Sequence, residues 1–249
     1  MKHMKILSIG NSFSQDAHRW LYDVCKSADK EIYNANIYYG GCSLVSNWDF
    51  YVNDRAEYDY EIKGVPTRKI TLREALTAEK WDIITYQQAS HESGKYERYK
   101  PFLCDLHKVV KEACPSAKFY IHQTWAYEID STHPSFVHYN SDQHYMYDCL
   151  SDAYRKAAES INADIIPAGD VIQYLRDNIS EFDYKNGGYS LNQDGFHLSH
   201  GYGRYAASLT WYCKLFSGNA NDVSFVPKIC DDEKLVRAIK AAVNKVLSE

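Results

Sequence analysis

The sequence predicts an α/β protein, a three-layer α/β/α sandwich around a five-stranded parallel sheet. Two observations carry that expectation. Short apolar runs bounded by turn residues alternate with stretches of helical period along most of the chain, and strands separated by helices pair in parallel, each right-handed crossover laying a helix over the sheet. With 12 glycines and 6 prolines in 249 residues, and no repeat or low-complexity stretch, nothing reads as a linker, so a single domain over 1–249 is expected.

The elements follow in order. Residues 4–9 form a buried-strand run, and 15–28, with Trp20, Leu21, Val24 and Cys25 at helical spacing, predict the helix after it. Residues 31–39 are a second strand ending at Gly40-Gly41. Residues 57–63 and 67–72 flank Gly64-Val65-Pro66 and predict a β-hairpin inserted at 57–72, with Tyr58, Tyr60 and Ile62 on one face. The pattern leaves its role open between a cap over a site and an interface. Residues 81–87, 118–123 and 163–167 supply three more core strands. Helices are expected at 99–113, ended by Cys114-Pro115, and at 141–160, 170–178, 199–215 and 231–247.

Charge and cysteine usage narrow the partners. A formal net charge of −5 with no basic run lacks the electrostatic footprint of a protein that binds nucleic acid or an anionic membrane. The seven cysteines (25, 42, 104, 114, 149, 213, 230) are odd in number and never spaced C-x-x-C, which argues against a disulfide framework and a structural zinc site. Reduced thiols fit a cytoplasmic protein. Met1-Lys2-His3-Met4-Lys5 runs directly into a strand too short for a signal-peptide core or a membrane span, in keeping with that compartment. No cofactor is expected, and the oligomeric state is not readable.

In such a sheet ligands sit outside the carboxyl ends of the strands. Polar residues fall at those ends: Ser12 after the first strand, Gly40-Gly41 after the second, Gln87-Gln88 after the third and His122-Gln123 after the fourth. Asp194 and His197 lie in the loop before the 199–215 helix. A serine hydroxyl becomes a competent nucleophile when an imidazole takes its proton and a third group orients that imidazole, and Asp194-x-x-His197 can supply both. The backbone N–H groups of Ser12 and Gly41, with a side-chain amide of the third strand, would stabilise the oxyanion.

Taken together, Ile9-Gly10-Asn11-Ser12, Gly40-Gly41-Cys42-Ser43-Leu44, Gln87-Gln88-Ala89-Ser90 and Asp194-Gly195-Phe196-His197-Leu198 resemble the successive blocks of the SGNH (GDSL-type) esterase and lipase superfamily. The resemblance runs from about residue 4 to about residue 216. It implies a flavodoxin-like sandwich, Ser12 as nucleophile, His197 as base, Asp194 as its orienter and Gly41 as an oxyanion donor. Two departures stand out: Asn11 replaces the usual aspartate, a change expected to affect only local turn bonding, and the third block carries Gln87-Gln88 where most members have Gly-x-Asn-Asp. Glutamine there resembles a branch that includes sialate O-acetylesterase-like and related carbohydrate esterases, and a group of bacterial proteins with a glutamine-rich third block. Gln87 is the favoured amide donor, although alternation along a strand turns Gln87 and Gln88 to opposite faces and leaves the choice open.

The expected substrate is a small acyl ester, acetyl on a carbohydrate foremost. Among 22 tyrosines and five tryptophans, Trp48, Phe50, Tyr51, Trp125 and Tyr127 fall in segments read as loops after the second and fourth strands, where aromatic faces suit sugar rings. Trp48, Trp125 and Gln88 are the residues expected to touch substrate. Two other readings compete. His122, His133, His138, His144, His197 and His200 could be imagined as a metal site, but no His-x-x-x-His or His-Glu-x-x-His pair fixes two ligands on one helix face. A hydroxyl-rich loop before a helix could instead cradle a phosphate in a nucleotide- or flavin-binding module, against which Asp16 and the absence of glycine-rich phosphate motifs both count.

Overall fold

In the computed structural model, which describes residues 3–248, the strands are β1 (Met4–Gly10), β2 (Ile32–Tyr38), β3 (Tyr58–Ile62), β4 (Val65–Ile70), β5 (Ile83–Tyr86), β6 (Lys118–His122) and β7 (Asp164–Ile166). Met1 and Lys2, with which the N-terminal segment begins, lie outside the described residues. The strands form one sheet in the order β4-β3-β2-β1-β5-β6-β7. The five strands β2, β1, β5, β6 and β7 are parallel, as expected of the core.

The five-strand count itself needs correcting, because β3 and β4 add two antiparallel strands beyond β2. The 57–72 hairpin continues the sheet beyond β2 and contributes no residue to the wall of the cavity described below. Without it the backbone of β2 would be an open edge able to pair with another chain. Its turn is Lys63-Gly64, both with positive φ (53° and 75°), the two-residue geometry whose twist matches that of the strands. Pro66 sits on β4, which is tolerable because β4 is the outer strand.

Helices cover both faces. α1 (Ser12–His18) and α2 (Leu21–Ser27) replace the single helix expected over 15–28. The break comes at Arg19-Trp20, where the Trp20 indole donates to His200 O at 3.1 Å and the Trp20 N–H to Ser208 Oγ at 3.3 Å. These tertiary bonds outweigh the helical propensity of the run. α3 (Leu44–Val52) and α4 (Leu72–Ala78) were not expected, yet both carry N-cap signatures: Ser43 accepts from Ser46 N–H, and Thr71 with Glu74 forms a reciprocal capping box. α5 (Phe102–Ala113), α6 (Gln143–Ile161), α7 (Ala168–Asn178), α8 (Tyr202–Phe216) and α9 (Glu233–Leu247) lie where the periodicity predicts them.

α1, α2, α7, α8 and α9 pack together as one layer, and α3, α4, α5 and α6 as the other. α8 is the keystone of the first layer: it packs on α1, α2, α7 and α9 and on β7, and buries Tyr205, Ala206, Leu209 and Trp211. β1 lies between β2 and β5, and the connections leave its two sides in opposite directions. The loops after β1, β2 and β5 therefore open a crevice at their carboxyl ends, the place where such sheets take ligands.

Candidate active site

Ser12 is the first residue of α1, directly after the central strand. Its N–H is one of the first four of a helix, which have no intrahelical acceptor. The approach is tight: a Cβ on Gly10 would stand 2.1 Å from Ser14 Oγ, so the strand must end in glycine for the helix to start there.

Asn11 does more than shape a turn. Its Oδ1 accepts from Phe13 N–H at 3.0 Å and from Gln87 Nε2 at 2.5 Å, while its Nδ2 donates to Cys42 O at 2.9 Å. One side chain thus ties the loops after β1, β2 and β5 together. An aspartate could accept in this way but could not donate to Cys42 O, so the amide explains itself physically. The expectation that this replacement affects only local turn bonding is corrected accordingly.

His197 Nε2 lies 2.8 Å from Ser12 Oγ, and its Nδ1 lies 2.7 Å from Asp194 Oδ2. A carboxylate only accepts, so Nδ1 carries the ring proton and Nε2 accepts from the Ser12 hydroxyl. Asp194 Oδ1 also accepts the backbone N–H groups of His197 (2.7 Å) and Phe196 (3.2 Å). Partial burial raises the Asp194 carboxyl, but the His197 and backbone hydrogen bonds outweigh it and hold the group below the usual carboxylate range. The turn needs Gly195, whose φ is 83°.

This loop is held from several sides. The Trp125 indole donates to Phe196 O at 2.8 Å, Glu128 N–H donates to Gly195 O at 2.8 Å, and Asn192 and Leu198 form a β-bridge that closes the turn. Trp125 stacks on Phe13 with ring centroids 4.6 Å apart. Leu198 N–H donates to Asp16 Oδ2 at 2.7 Å, and Asp16 Oδ1 pairs with Arg204 at 2.8 Å.

Ser12 and His197 open onto a cavity of about 320 Å³ whose wall also includes Gly41, Tyr38, Ser90, His91, His133, Gln193 and Arg204. Gly41, with φ 65° and no atom within 4 Å of where a Cβ would stand, offers bare backbone to it. Burial lowers the His91 and His133 imidazoles from their ordinary value and keeps them neutral. His133 Nδ1 accepts from Ser135 N–H at 3.2 Å, which assigns its proton to Nε2 and makes that nitrogen a donor.

Several expected site residues lie elsewhere. Gln87 is buried, does not line the cavity, and directs its amide to Asn11 Oδ1, so it acts as a support of the loop rather than a wall of the site. Gln88 is equally buried: its Oε1 accepts from Leu44 N–H (3.0 Å) and Ala89 N–H (2.9 Å), and its amide donates to Arg98 O (3.0 Å). It caps α3 and touches no substrate space. Trp125 and Tyr127 are fully buried, and Trp48 lies on α3 beside Tyr51 (centroids 5.7 Å apart) outside the cavity wall. His122 is wholly buried, and Gln123 is turned to Asp170 at 2.6 Å. Of the residues that line the cavity without having been expected, Asp16 was legible four positions after Ser12 on the same helix face, whereas His133 and Arg204 carry no local signal.

Among the described residues no group of three His, Cys, Asp or Glu is arranged to hold a metal ion, and no helix is long and apolar enough to cross a membrane.

Comparison with known proteins places this architecture. A crystal structure of a DUF4886 family protein from Bacteroides uniformis is 33% identical, covers 99% of this chain and 95% of its own, and superposes with a TM-score of 0.91. More distant likenesses bear on the fold alone. A candidate SGNH hydrolase from Slackia heliotrinireducens is 20% identical over 86% of this chain and all of its own, with a TM-score of 0.58. A mutant of an acetyl-xylooligosaccharide esterase from Geobacillus is 13% identical over 90% of this chain and 97% of its own, with a TM-score of 0.51. No curated protein matches the sequence. A family model described as a domain of unknown function (DUF4886) matches residues 5–245, and the chain belongs to that family, built on the fold of SGNH hydrolases.

Proposed function

We propose that this protein is a serine esterase that removes small acyl groups, acetyl foremost, from hydroxylated alcohols such as sugars. One observation carries the reading: the unbroken hydrogen-bonded chain from Ser12 Oγ through His197 to Asp194, at 2.8 and 2.7 Å, open to a cavity.

In the reaction Ser12 Oγ attacks the ester carbonyl as His197 Nε2 takes its proton, and Asp194 stabilises the imidazolium and holds its orientation. The oxyanion of the tetrahedral intermediate is met by the N–H groups of Ser12 and Gly41. His197 then returns the proton to the departing alcohol, leaving an acyl-serine that water, activated by the same imidazole, hydrolyses.

The substrate class rests on the cavity wall and on the neighbours. Apart from Phe13 and Phe196, the side chains that face the cavity are polar, including Ser90, His133 and Gln193, and His133 presents a neutral Nε2–H. Such a wall suits a polyhydroxylated leaving group better than a fatty chain. Sugar recognition would then run through hydrogen bonds rather than through the stacking tryptophans expected from the sequence. The acetyl-xylooligosaccharide esterase of the same fold is consistent with acetyl as the acyl group. The phosphate-cradle reading is disfavoured because Phe13 N–H is already bonded to Asn11 and the Asp16 carboxyl shares the cavity.

The test is hydrolysis of p-nitrophenyl acetate and of a panel of acetylated oligosaccharides. The wild type is expected to release acetate from both, and Ser12→Ala to lose at least about 10³-fold in kcat. Retention of near-wild-type activity by folded Ser12→Ala would overturn the reading.

A further inference from the structure

We propose that Asp16 is a positioning residue that clamps the His197 loop onto the helix carrying Ser12. The idea rests on the esterase reading for its kinetic consequence, but not for its structural one.

Asp16 follows Ser12 by four positions on α1, so the two side chains leave the same face about one turn apart. The Asp16 side chain is buried, and its two oxygens are used in different directions. Oδ2 accepts from Leu198 N–H at 2.7 Å, across 182 positions of sequence, and Oδ1 accepts from Arg204 Nη2 at 2.8 Å. Leu198 is the residue after His197. Among the described residues, this bond and the Ser12–His197 bond are the hydrogen bonds that join α1 to the 194–198 turn. The other ties of that turn, from Trp125 and Glu128, run to the segment after β6.

The consequence is geometric. Trp125, stacked on Phe13 of α1, and Glu128 also hold the turn, but Asp16 is the α1 side chain that bonds the backbone of the turn directly, next to His197. A carboxylate is suited to this because a charge-assisted bond to a backbone N–H is short and strong. Arg204 of α8 keeps the buried charge paired, and it is itself oriented by His200 Nδ1 at 2.8 Å. The other titratable groups near Asp16 are His197 and Tyr38. Burial pushes the Asp16 carboxyl up to about 6, against Arg204 and the Leu198 N–H, so at neutral pH the clamp is ionised.

Asp16→Asn keeps an oxygen that can accept from Leu198, whereas Asp16→Leu has the same outline and no acceptor. A misplacement of about 1 Å between reacting groups costs on the order of 10²-fold, so Asp16→Leu is expected to lose about that much kcat with KM within about twofold. Asp16→Asn is expected to stay within about tenfold of wild-type kcat, the loss coming from the ion pair to Arg204. Independently of catalysis, hydrogen exchange at the Leu198 amide is expected to accelerate in Asp16→Leu and to remain slow in Asp16→Asn. Equal kcat losses in the two variants, a change confined to KM, or unaltered Leu198 exchange in Asp16→Leu would each overturn the clamp. If Asp16→Leu does not fold, Asp16→Glu keeps the charge but moves the acceptor by one methylene; it is expected to lower kcat about tenfold, and an unchanged kcat overturns the proposal. A wild type without esterase activity would overturn the proposed function, while the exchange measurement would still decide the clamp.

Discussion

Two groups of histidines lie within this fold, and their difference explains why residue counts say so little about chemistry. At the cavity, His197 has a carboxylate on one ring nitrogen and a serine hydroxyl on the other, and His133 has Ser135 N–H on Nδ1. Where α1, β6 and α8 meet, His18 and His122 are wholly buried, edge-on to Trp211 at centroid distances of 4.9 and 5.1 Å. His18 Nε2 lies 2.9 Å from Ser8 Oγ, but His18 Nδ1 and both nitrogens of His122 have no partner among the described residues. Burial lowers both of these imidazoles to about 3. A wholly buried imidazole with no carboxylate beside it stays neutral at neutral pH and acts as a flat core side chain; one backed by Asp194 can take and return a proton under the proposed function.

The comparison can be broken at its most sensitive point. Under the proposed function, Asp194→Asn is expected to lower kcat by about 10²–10⁴-fold, because the ring loses the acceptor that sets its tautomer. His122→Phe, in the buried pair, is expected to leave kcat within about threefold. Steady-state kinetics on p-nitrophenyl acetate decides both, and the reverse ranking would sink the assignment of roles.

Acid stability probes the buried pair in the opposite sense. The folded values of His18 and His122 lie below the ordinary histidine value, so between about pH 6.5 and 3 the unfolded chain binds more protons than the folded one. Their contribution is complete above pH 6.5 and is lost as pH falls, at a slope of about 1.4 kcal/mol per pH unit for each group. Denaturant midpoints measured from pH 7 to pH 4 are expected to drop steeply in the wild type and less steeply in His122→Phe. Identical slopes would mean that His122 does not titrate on unfolding.

The smallest effect concerns specificity. His133→Phe removes the Nε2–H donor from the cavity wall and is expected to raise KM for acetylated sugars by about 3–10-fold, one neutral hydrogen bond's worth, with a smaller change for p-nitrophenyl acetate. A uniform change across both substrates would assign His133 to packing rather than recognition.

What was legible depended on how local the information was. The turn of Asp194-Gly195-Phe196-His197 is self-contained: the carboxylate meets its own neighbours' N–H groups and the ring three residues on, so four consecutive letters specify most of the geometry. The same holds for Gly10-Asn11-Ser12 at the strand-to-helix junction and for the Thr71–Glu74 capping box, which the periodicity reading passed over. Gln87, Gln88, Trp48 and Trp125 were misjudged for the complementary reason. Each is a long side chain at the end of an element, and whether it faced the cavity or the core depended on α3, on Phe13 and on Arg98, which are remote in sequence. The hairpin was seen as a hairpin, but its pairing with β2 was not, since a strand's partner is chosen by the available edge rather than by its own letters.

The sequence by itself determined the alternation of strands and helices, and with it the parallel core, because hydrophobic period and turn chemistry act over a few residues. It also determined which serine, histidine and aspartate stand at element ends. Only the tertiary structure decided that Asn11 would bind three loops together, that Asp16 would reach Leu198, and that His133 rather than a tryptophan would line the cavity. Those choices are made by directional bonds of about 3 Å between residues far apart in the chain, and such distances exist only after the sheet has brought its loops to one rim.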